Sequence, residues 1–399
     1  MKILFVSTKG PLPLNDGHSL RTFHLLRQAA RRHDIYLLSF VKFPEEYEYI
    51  PDLKDFCREV IFIDLSSNRS VFHLGALLVK NMGSHLPLVA QKYYTSKMQA
   101  AIRGVTGRRK IDLVHLDMLP LCSYLYLFAK IPVVLNEHNV ESALLARLVS
   151  REENPYRRWF YALQQKRLER FERSVLRKCS HVICCSHPDR ELLSGLAPRT
   201  PISVLPNGVD LAFFKPSGTI REDGKRLVFI GGMNWFPNRD AMQWFDRDVM
   251  PRILARHPDI MVDVIGRGDN SIEWKHASNI TMHGYVEDVR PYMERAAVFI
   301  VPLRIGGGTR LKILNAMAME KAIVSTNIGI EGLEVQEGWH FVAADTADAF
   351  AEAVNNLVSN SASREGLGRR ARGLASSRYN WDFIGKQLLG VYEKACSCC

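Results

Sequence analysis

A chain of 399 residues, 47% of them hydrophobic and 24% charged, is too long for one ordinary core and too apolar for a disordered chain, so two globular domains are expected. A formal net charge of +11 favours an anionic partner (a nucleotide, an anionic membrane surface or nucleic acid) without choosing among them. The eight cysteines lack the paired spacing of zinc ligands, which fits reduced thiols in a cytosolic compartment.

Ile3 to Ser7 is too short for a signal-peptide core and is followed at once by Lys9 and two prolines, so it reads as a first buried strand. Asp16-Gly17 then opens a helix over Ser19 to Arg32, with Leu20, Phe23 and Leu26 near helical spacing. Further strands are expected at Ile35 to Phe40, Val60 to Asp64, Leu113 to Leu116, Val133 to Asn136, His181 to Cys185 and Ile202 to Leu205. Between them, Phe72 to Leu88 is apolar, and Tyr156 to Arg173 is a basic, aromatic helical stretch suited to an anionic membrane surface or to packing on the first sheet. No window approaches the roughly 20 apolar residues that span a bilayer. A cytoplasmic protein, peripheral on the inner face of the cell membrane at most, is expected.

Pro206-Asn207-Gly208-Val209-Asp210 and the polar run from Pro216 to Lys225 mark a domain crossing. Beyond it strands are expected at Leu227 to Ile230, Met261 to Ile265, Thr281 to His283, Val298 to Val301, Ala322 to Thr326 and Phe341 to Ala343. Short apolar runs alternating with helical patterns predict an α/β chain of two parallel, Rossmann-like units, whose ligands bind beyond the carboxyl ends of the strands. The expected division is 1–206 as the first domain, 207–225 as linker, 226–378 as the second domain, and 379–399 as a helix crossing back to the first, with a tail.

The stretch from Val301 through Gly306-Gly307-Gly308-Thr309-Arg310-Leu311-Lys312 to Met319 reads as strand, glycine-rich turn and helix. Glycines let backbone N–H groups approach a ligand, and the helix start offers unpaired N–H groups and a positive dipole end to an anion. Arg310 and Lys312 oppose that dipole and are best explained by an anionic ligand. Asp246-Arg247-Asp248 has the spacing of a metal-binding carboxylate pair, but residues two apart on a helix diverge. Gly266-Arg267-Gly268 lacks the third glycine of a dinucleotide fingerprint and reads as a tight turn. The basic residues are not gathered with stacking aromatics, so nucleic acid is not expected as a partner.

Four motifs in order, Pro206 to Asp210, Gly231-Gly232-Met233-Asn234-Trp235-Phe236-Pro237-Asn238, His283-Gly284-Tyr285-Val286-Glu287-Asp288-Val289 and Gly306 to Lys312, resemble the GT-B, retaining glycosyltransferases of family 4, nearest a bacterial branch linked to exopolysaccharide assembly. Asn136-Glu137-His138-Asn139-Val140-Glu141 adds to the resemblance in the first half. The resemblance implies a GT-B fold, two Rossmann-like domains facing across a cleft, and a nucleotide-diphosphate sugar bound by the second domain. Gly284, Tyr285 and Val286 would lie near the base. Arg310, Lys312 and the helix start would lie near the diphosphate, with Gly232, Asn234, Gly306, Gly307, Gly308, Thr309, Leu311 and Asn315 completing the donor site. His138 would contact the donor sugar, and Gly17 and His18 would belong to a loop of the first domain that reaches the cleft.

Two positions depart from the family pattern. Asn315 stands where relatives carry a glutamate that bonds the nucleotide ribose, and it lacks the charge that strengthens such a bond. The Gly232 to Asn238 segment lacks the Arg and Lys that many relatives bring to the diphosphate. The expected activity is transfer of a sugar from a nucleotide-diphosphate sugar to a hydroxyl of a glycan or lipid-linked acceptor, with no metal and no other cofactor. Rival readings are a non-catalytic partner or membrane scaffold of another transferase and a nucleotide-sugar epimerase on the same fold.

Overall fold

The computed structural model describes residues 1–14, 16–65, 71–268, 272–306 and 310–397. It divides into two compact units, Met1–Pro206 together with Ile384–Cys399, and Asn207–Phe383.

The first unit holds a seven-stranded sheet in the order β3-β2-β1-β4-β5-β6-β7. Its strands are β1 (Lys2–Ser7), β2 (Asp34–Val41), β3 (Glu59–Asp64), β4 (Leu113–Asp117), β5 (Val133–Asn136), β6 (His181–Cys184) and β7 (Ile202–Val204). All pairings are parallel. Helices cover both faces of such a sheet, so its strands read as unbroken apolar runs; Ile3, Leu4, Phe5 and Val6 of β1 are all fully buried. Registers Ser7↔Asp117 and Asp117↔Asn136 align the last residues of β1, β4 and β5 along one carboxyl edge.

The second unit repeats the plan with six parallel strands in the order β10-β9-β8-β11-β12-β13. These are β8 (Asp223–Ile230), β9 (Met261–Ile265), β10 (Ile280–Gly284), β11 (Ala296–Val301), β12 (Ala322–Ser325) and β13 (Val342–Ala343). Each strand lies where an apolar run sits in the sequence. β8 starts earlier, at Asp223, where Ala296↔Asp223 pairing draws a polar segment into the ladder.

The Trp381–Ser397 helix belongs to the first unit from Ile384 on. Ile384, Leu388, Val391, Tyr392 and Ala395 are buried at helical spacing. The Tyr392 hydroxyl lies 2.9 Å from His115 Nδ1, and the His115 ring stacks on Phe5 at 4.2 Å. Complete burial pushes the His115 imidazole down to about 4, so it stays neutral there as core.

The basic Pro155–Leu176 helix buries Gln164, Leu168, Glu172, Val175 and Leu176, all in its later turns, whereas Tyr156 and Trp159 near its start are exposed. The apolar Phe72 to Leu88 stretch forms a helix, Val71–Met82, whose Val79 and Met82 are also exposed. Cys57, Cys122, Cys179, Cys184, Cys185 and Cys396 are free thiols.

Leu388 is fully buried. Leu388→Ala is expected to lower stability by about 2–5 kcal/mol through lost transfer energy and a residual cavity. Equilibrium urea unfolding, with the slope unchanged, is the check.

Candidate functional site

In the second unit strand order reverses between β8 and β11, so crossovers leave those neighbours in opposite directions and their carboxyl ends stay open. β8 runs into Gly231-Gly232 and then the Phe236–Trp244 helix; β11 leads through Gly306 and Arg310 into the Leu311–Ala318 helix. Arg310 occupies the N-cap position of that helix in extended conformation.

Backbone packing at this edge requires glycine. Gly266 has φ 144°, and a Cβ there would lie 2.5 Å from the Gly231 carbonyl carbon. Gly231 N–H donates to Ile265 O at 2.7 Å, Met233 N–H to Arg267 O at 2.7 Å and Gly266 N–H to Gly284 O at 2.8 Å. These bonds tie the turns after β8, β9 and β10 together. The Gly266 turn expected from the sequence is thus a spacer that lets two loops touch. Its Arg267 lies over the Tyr285 ring at 4.9 Å.

Lys312 is the central side chain. Its Nζ donates to Asn238 Oδ1 at 3.1 Å and lies 4.3 Å from the Phe229 ring centroid. Asn238 Nδ2 donates to Gly232 O at 2.9 Å, which fixes the amide with its oxygen toward the lysine. A Cβ on Gly231 would lie 2.8 Å from Lys312 Nζ, so glycine leaves the room the lysine needs. Among the described residues no carboxylate forms an ion pair with Lys312. Burial, and then the Arg310 charge, push its ammonium down to about 7. A half-buried cation whose ammonium is desolvated, with no carboxylate partner among the described residues, suits an anionic ligand.

The other candidates of this unit lie along the same edge. Gly284 ends β10 with φ 68°, and Tyr285 beyond it is exposed while Val286 is half-buried. Gly306, with φ 145°, sits under Arg310: a Cβ there would lie 3.0 Å from the guanidinium carbon. Gly232 is half-buried and Asn234 exposed in the loop after β8. Leu311 and Asn315 are half-buried in the helix, with Asn315 three residues beyond Lys312 and so a neighbour of it on the helix surface. Gly307, Gly308 and Thr309 lie outside the described residues. Asp246 and Asp248 are not a pair: Asp246 is buried and accepts from the backbone N–H groups of Lys275 and His276, while Asp248 bonds Arg247 at 2.7 Å.

The first unit has its own order reversal, between β1 and β4. The helix after β1, Gly17–Ala30, starts there, with Asp16 as N-cap accepting from Ser19 N–H and Gly17 as its first residue. Asp117 ends β4 fully buried. His138 Nε2 lies 2.8 Å from Asp117 Oδ1, and His18 Nε2 lies 3.5 Å from Oδ2. The two imidazoles meet edge-on at 4.6 Å. Asn136 Nδ2 also donates to Oδ1 at 2.6 Å and Thr22 Oγ1 to Oδ2 at 2.5 Å. Burial raises the Asp117 carboxyl, but the His138 and His18 imidazoles hold it well below the carboxylate range. For His138 burial wins over Asp117 and lowers it, toward the neutral form. Glu137, also buried, is pushed well up by burial and then by Glu172 and Glu141. The two carboxyls are thus shifted in opposite directions, Asp117 toward its ionised form and Glu137 toward its neutral one.

A "Glycosyltransferase Family 4" model matches residues 15–213 and a "Glycosyl transferases group 1" model residues 224–360. The chain belongs to the family 4 glycosyltransferases. An uncharacterised 44.6 kDa protein of the cps region of Klebsiella pneumoniae is 23% identical, over 90% of this chain and 91% of its own. A phosphatidyl-myo-inositol mannosyltransferase of Mycolicibacterium smegmatis is 27% identical over 47% of this chain and 51% of its own. Among solved structures, sucrose-phosphate synthase from Thermosynechococcus elongatus superposes with a TM-score of 0.73 at 17% identity over the whole of both chains. Anabaena HepE in complex with UDP superposes with 0.68 at 15% identity, covering 98% of this chain and 99% of its own. The fold of this glycosyltransferase is GT-B.

The sequence did not single out Asp117 or Thr22. Asn238 stood out only as a neutral residue where relatives are charged, and its use is to hold Lys312. Asp117 reads as one more strand-end acid until pairing brings it beside Asn136.

Because Lys312 is about half deprotonated near pH 7 and an anion favours its charged form, binding of a nucleoside diphosphate should take up a proton. Affinity for UDP or GDP, whichever binds, is expected to fall up to about tenfold per pH unit above 7. Lys312→Met should remove that slope. Calorimetric titration at pH 6.5, 7.5 and 8.5 reads both.

Proposed function

We propose that this glycosyltransferase moves a sugar, with retention of anomeric configuration and without a metal ion, from a nucleotide-diphosphate sugar to a hydroxyl of a glycan or lipid-linked acceptor. The observation that carries the reading is the half-buried Lys312, without a carboxylate partner among the described residues, beside Arg310 at the start of the Leu311–Ala318 helix. As the leaving nucleotide departs, charge grows on its β-phosphate. Cations and unpaired N–H groups already fixed at that spot stabilise it without reorganising, the part a divalent ion plays elsewhere. β10 ends two strands from β8, about 10 Å at ordinary strand spacing, so Gly284, Tyr285 and Val286 suit the base at a nucleotide's length from the phosphates.

In this reading the first unit supplies His138 toward the sugar and acceptor, with Gly17 and His18, expected in a loop, in the first turn of the Gly17–Ala30 helix instead. HepE, solved with UDP and with UDP-glucose, and TarM, solved with UDP and α-GlcNAc-glycerol, share the fold and bind ligands of these classes. A capsule-region relative and the mannosyltransferases support a cell-surface glycan or lipid-linked acceptor. No helix among the described residues is long and apolar enough to cross a membrane; exposed Tyr156 and Trp159, with Arg157 and Arg158 between them, suit contact with an anionic bilayer surface that carries such an acceptor. Asn315, uncharged, leaves the ribose a neutral hydrogen bond, about 1 kcal/mol weaker than a charge-assisted one.

A thermal-shift panel of UDP, GDP, ADP and TDP with their sugars tests the donor class, since a ligand bound only by the folded state raises its Tm. A selective rise for one nucleotide is expected. Arg310→Ala should keep the fold and lower transfer at least about tenfold, equivalent to roughly 1.4 kcal/mol in the barrier. Absence of any shift at millimolar ligand, or unchanged kinetics in that variant, would remove the donor assignment.

A further inference from the structure

We infer that Asp117 is a positioning residue that locks the His138 ring with its proton on Nε2, so that Nδ1 is presented as a hydrogen-bond acceptor for a neutral hydroxyl of the substrate.

The chain of constraint begins at Arg21. This guanidinium is 1% exposed and donates from Nη2 to Asn136 Oδ1 at 2.9 Å and from Nη1 to Pro206 O at 3.1 Å. An arginine has only donors, so the Asn136 oxygen must face it and the Asn136 nitrogen must face Asp117. That nitrogen donates to Asp117 Oδ1 at 2.6 Å, and Thr22 Oγ1 donates to Oδ2 at 2.5 Å. An ionised carboxylate only accepts, so the imidazole nitrogen 2.8 Å from Oδ1 must be the donor. The 3.1 Å separation of Asn136 Nδ2 from His138 Nε2 then follows from two donors sharing one oxygen. With the proton fixed on Nε2, a neutral His138 carries its lone pair on Nδ1.

Two features show that the arrangement is built in. Asp117 and Asn136 are cross-strand partners at the ends of β4 and β5, so main-chain pairing sets their distance. Met118, immediately after Asp117, holds φ 98°, which a residue with a Cβ adopts only where its surroundings enforce it; its N–H donates to Asn136 O at 2.9 Å. His138 Nδ1 makes no hydrogen bond among the described residues. A lone pair there attracts a hydroxyl and repels a carboxylate or phosphate. The group that meets His138 is therefore an uncharged sugar or acceptor hydroxyl, and a substrate lacking that hydroxyl is discriminated against. His18, Asp117 and His138 also bring ligand-type atoms within 4.8 Å of one another, a set a transition metal accepts, but the carboxylate oxygens are already taken by Asn136, Thr22 and His138.

The inference rests on the proposed function only for the word substrate; the ring's protonation is testable without turnover. The full chain, labelled with ring-15N histidine, is examined at pH 7.5 by two-bond 1H–15N correlation, with His138→Gln identifying the His138 peaks. The expected pattern is one protonated ε and one bare δ nitrogen. A δ-protonated ring, an averaged pattern, or His138 peaks that move when a chelator is added to the purified protein would overturn the inference. Asp117→Asn should abolish the fixed ε pattern, whereas Thr22→Val should keep it; if Asp117→Asn does not fold, the wild-type spectrum still decides. Once a donor is known, Asp117→Asn should lower kcat at least about tenfold, with nucleotide affinity changed less than about twofold, because the nucleotide site lies in the other unit. Loss of nucleotide affinity in that variant would overturn the positioning role. The expected spectrum in a protein that transfers no sugar would instead overturn the transferase reading alone.

Discussion

Everything functional in this protein depends on what parallel sheets do at a reversal of strand order. Crossover helices cover a parallel sheet on both faces, and only where two neighbours send their crossovers in opposite directions does the carboxyl edge stay open. The first unit reverses between β1 and β4 and the second between β8 and β11. Each opening exposes strand-end backbone and the first turn of a helix, the places where polar groups lack partners from regular structure.

The two openings are furnished with opposite chemistry. At β8 and β11 the half-buried groups are cationic, Lys312 held by Asn238 and crowded by Arg310. At β1 and β4 a buried carboxylate is saturated by Asn136, Thr22 and His138. The first concentrates positive charge, which suits the anionic donor proposed above. The second is a rigid frame that orients a neutral ring. A glycosyl transfer needs both, since charge develops on the leaving phosphate while the sugar itself has to be gripped through hydroxyls.

Burial is what gives these groups their properties. Lys312 in water would be fully charged and indifferent to pH near neutrality; enclosed, it holds its proton only loosely until an anion arrives. Unfolded chains restore its ordinary basicity and bind the proton that the folded, unliganded state gives up between pH 7 and about 10. This group therefore makes the empty protein more stable as pH rises through that window, while the same rise weakens anion binding.

The sequence by itself determined the α/β class, the parallel strands and the place where a glycine-rich turn enters a helix beside Arg310 and Lys312. Doubly covered strands must be continuous apolar runs, and a glycine-rich turn between such a run and a helix is legible as a local pattern. It also carried the family motifs, which are contiguous stretches. Tertiary structure alone decided which distant residues complete the sites. Asn238 meets Lys312 across 74 positions of chain and Thr22 meets Asp117 across 95, contacts set by strand order and register that no local spacing encodes. Protonation likewise had to wait for the fold, because the states of Lys312, Glu137 and His138 are fixed by the burial and partners that packing brings, and a sequence contains neither.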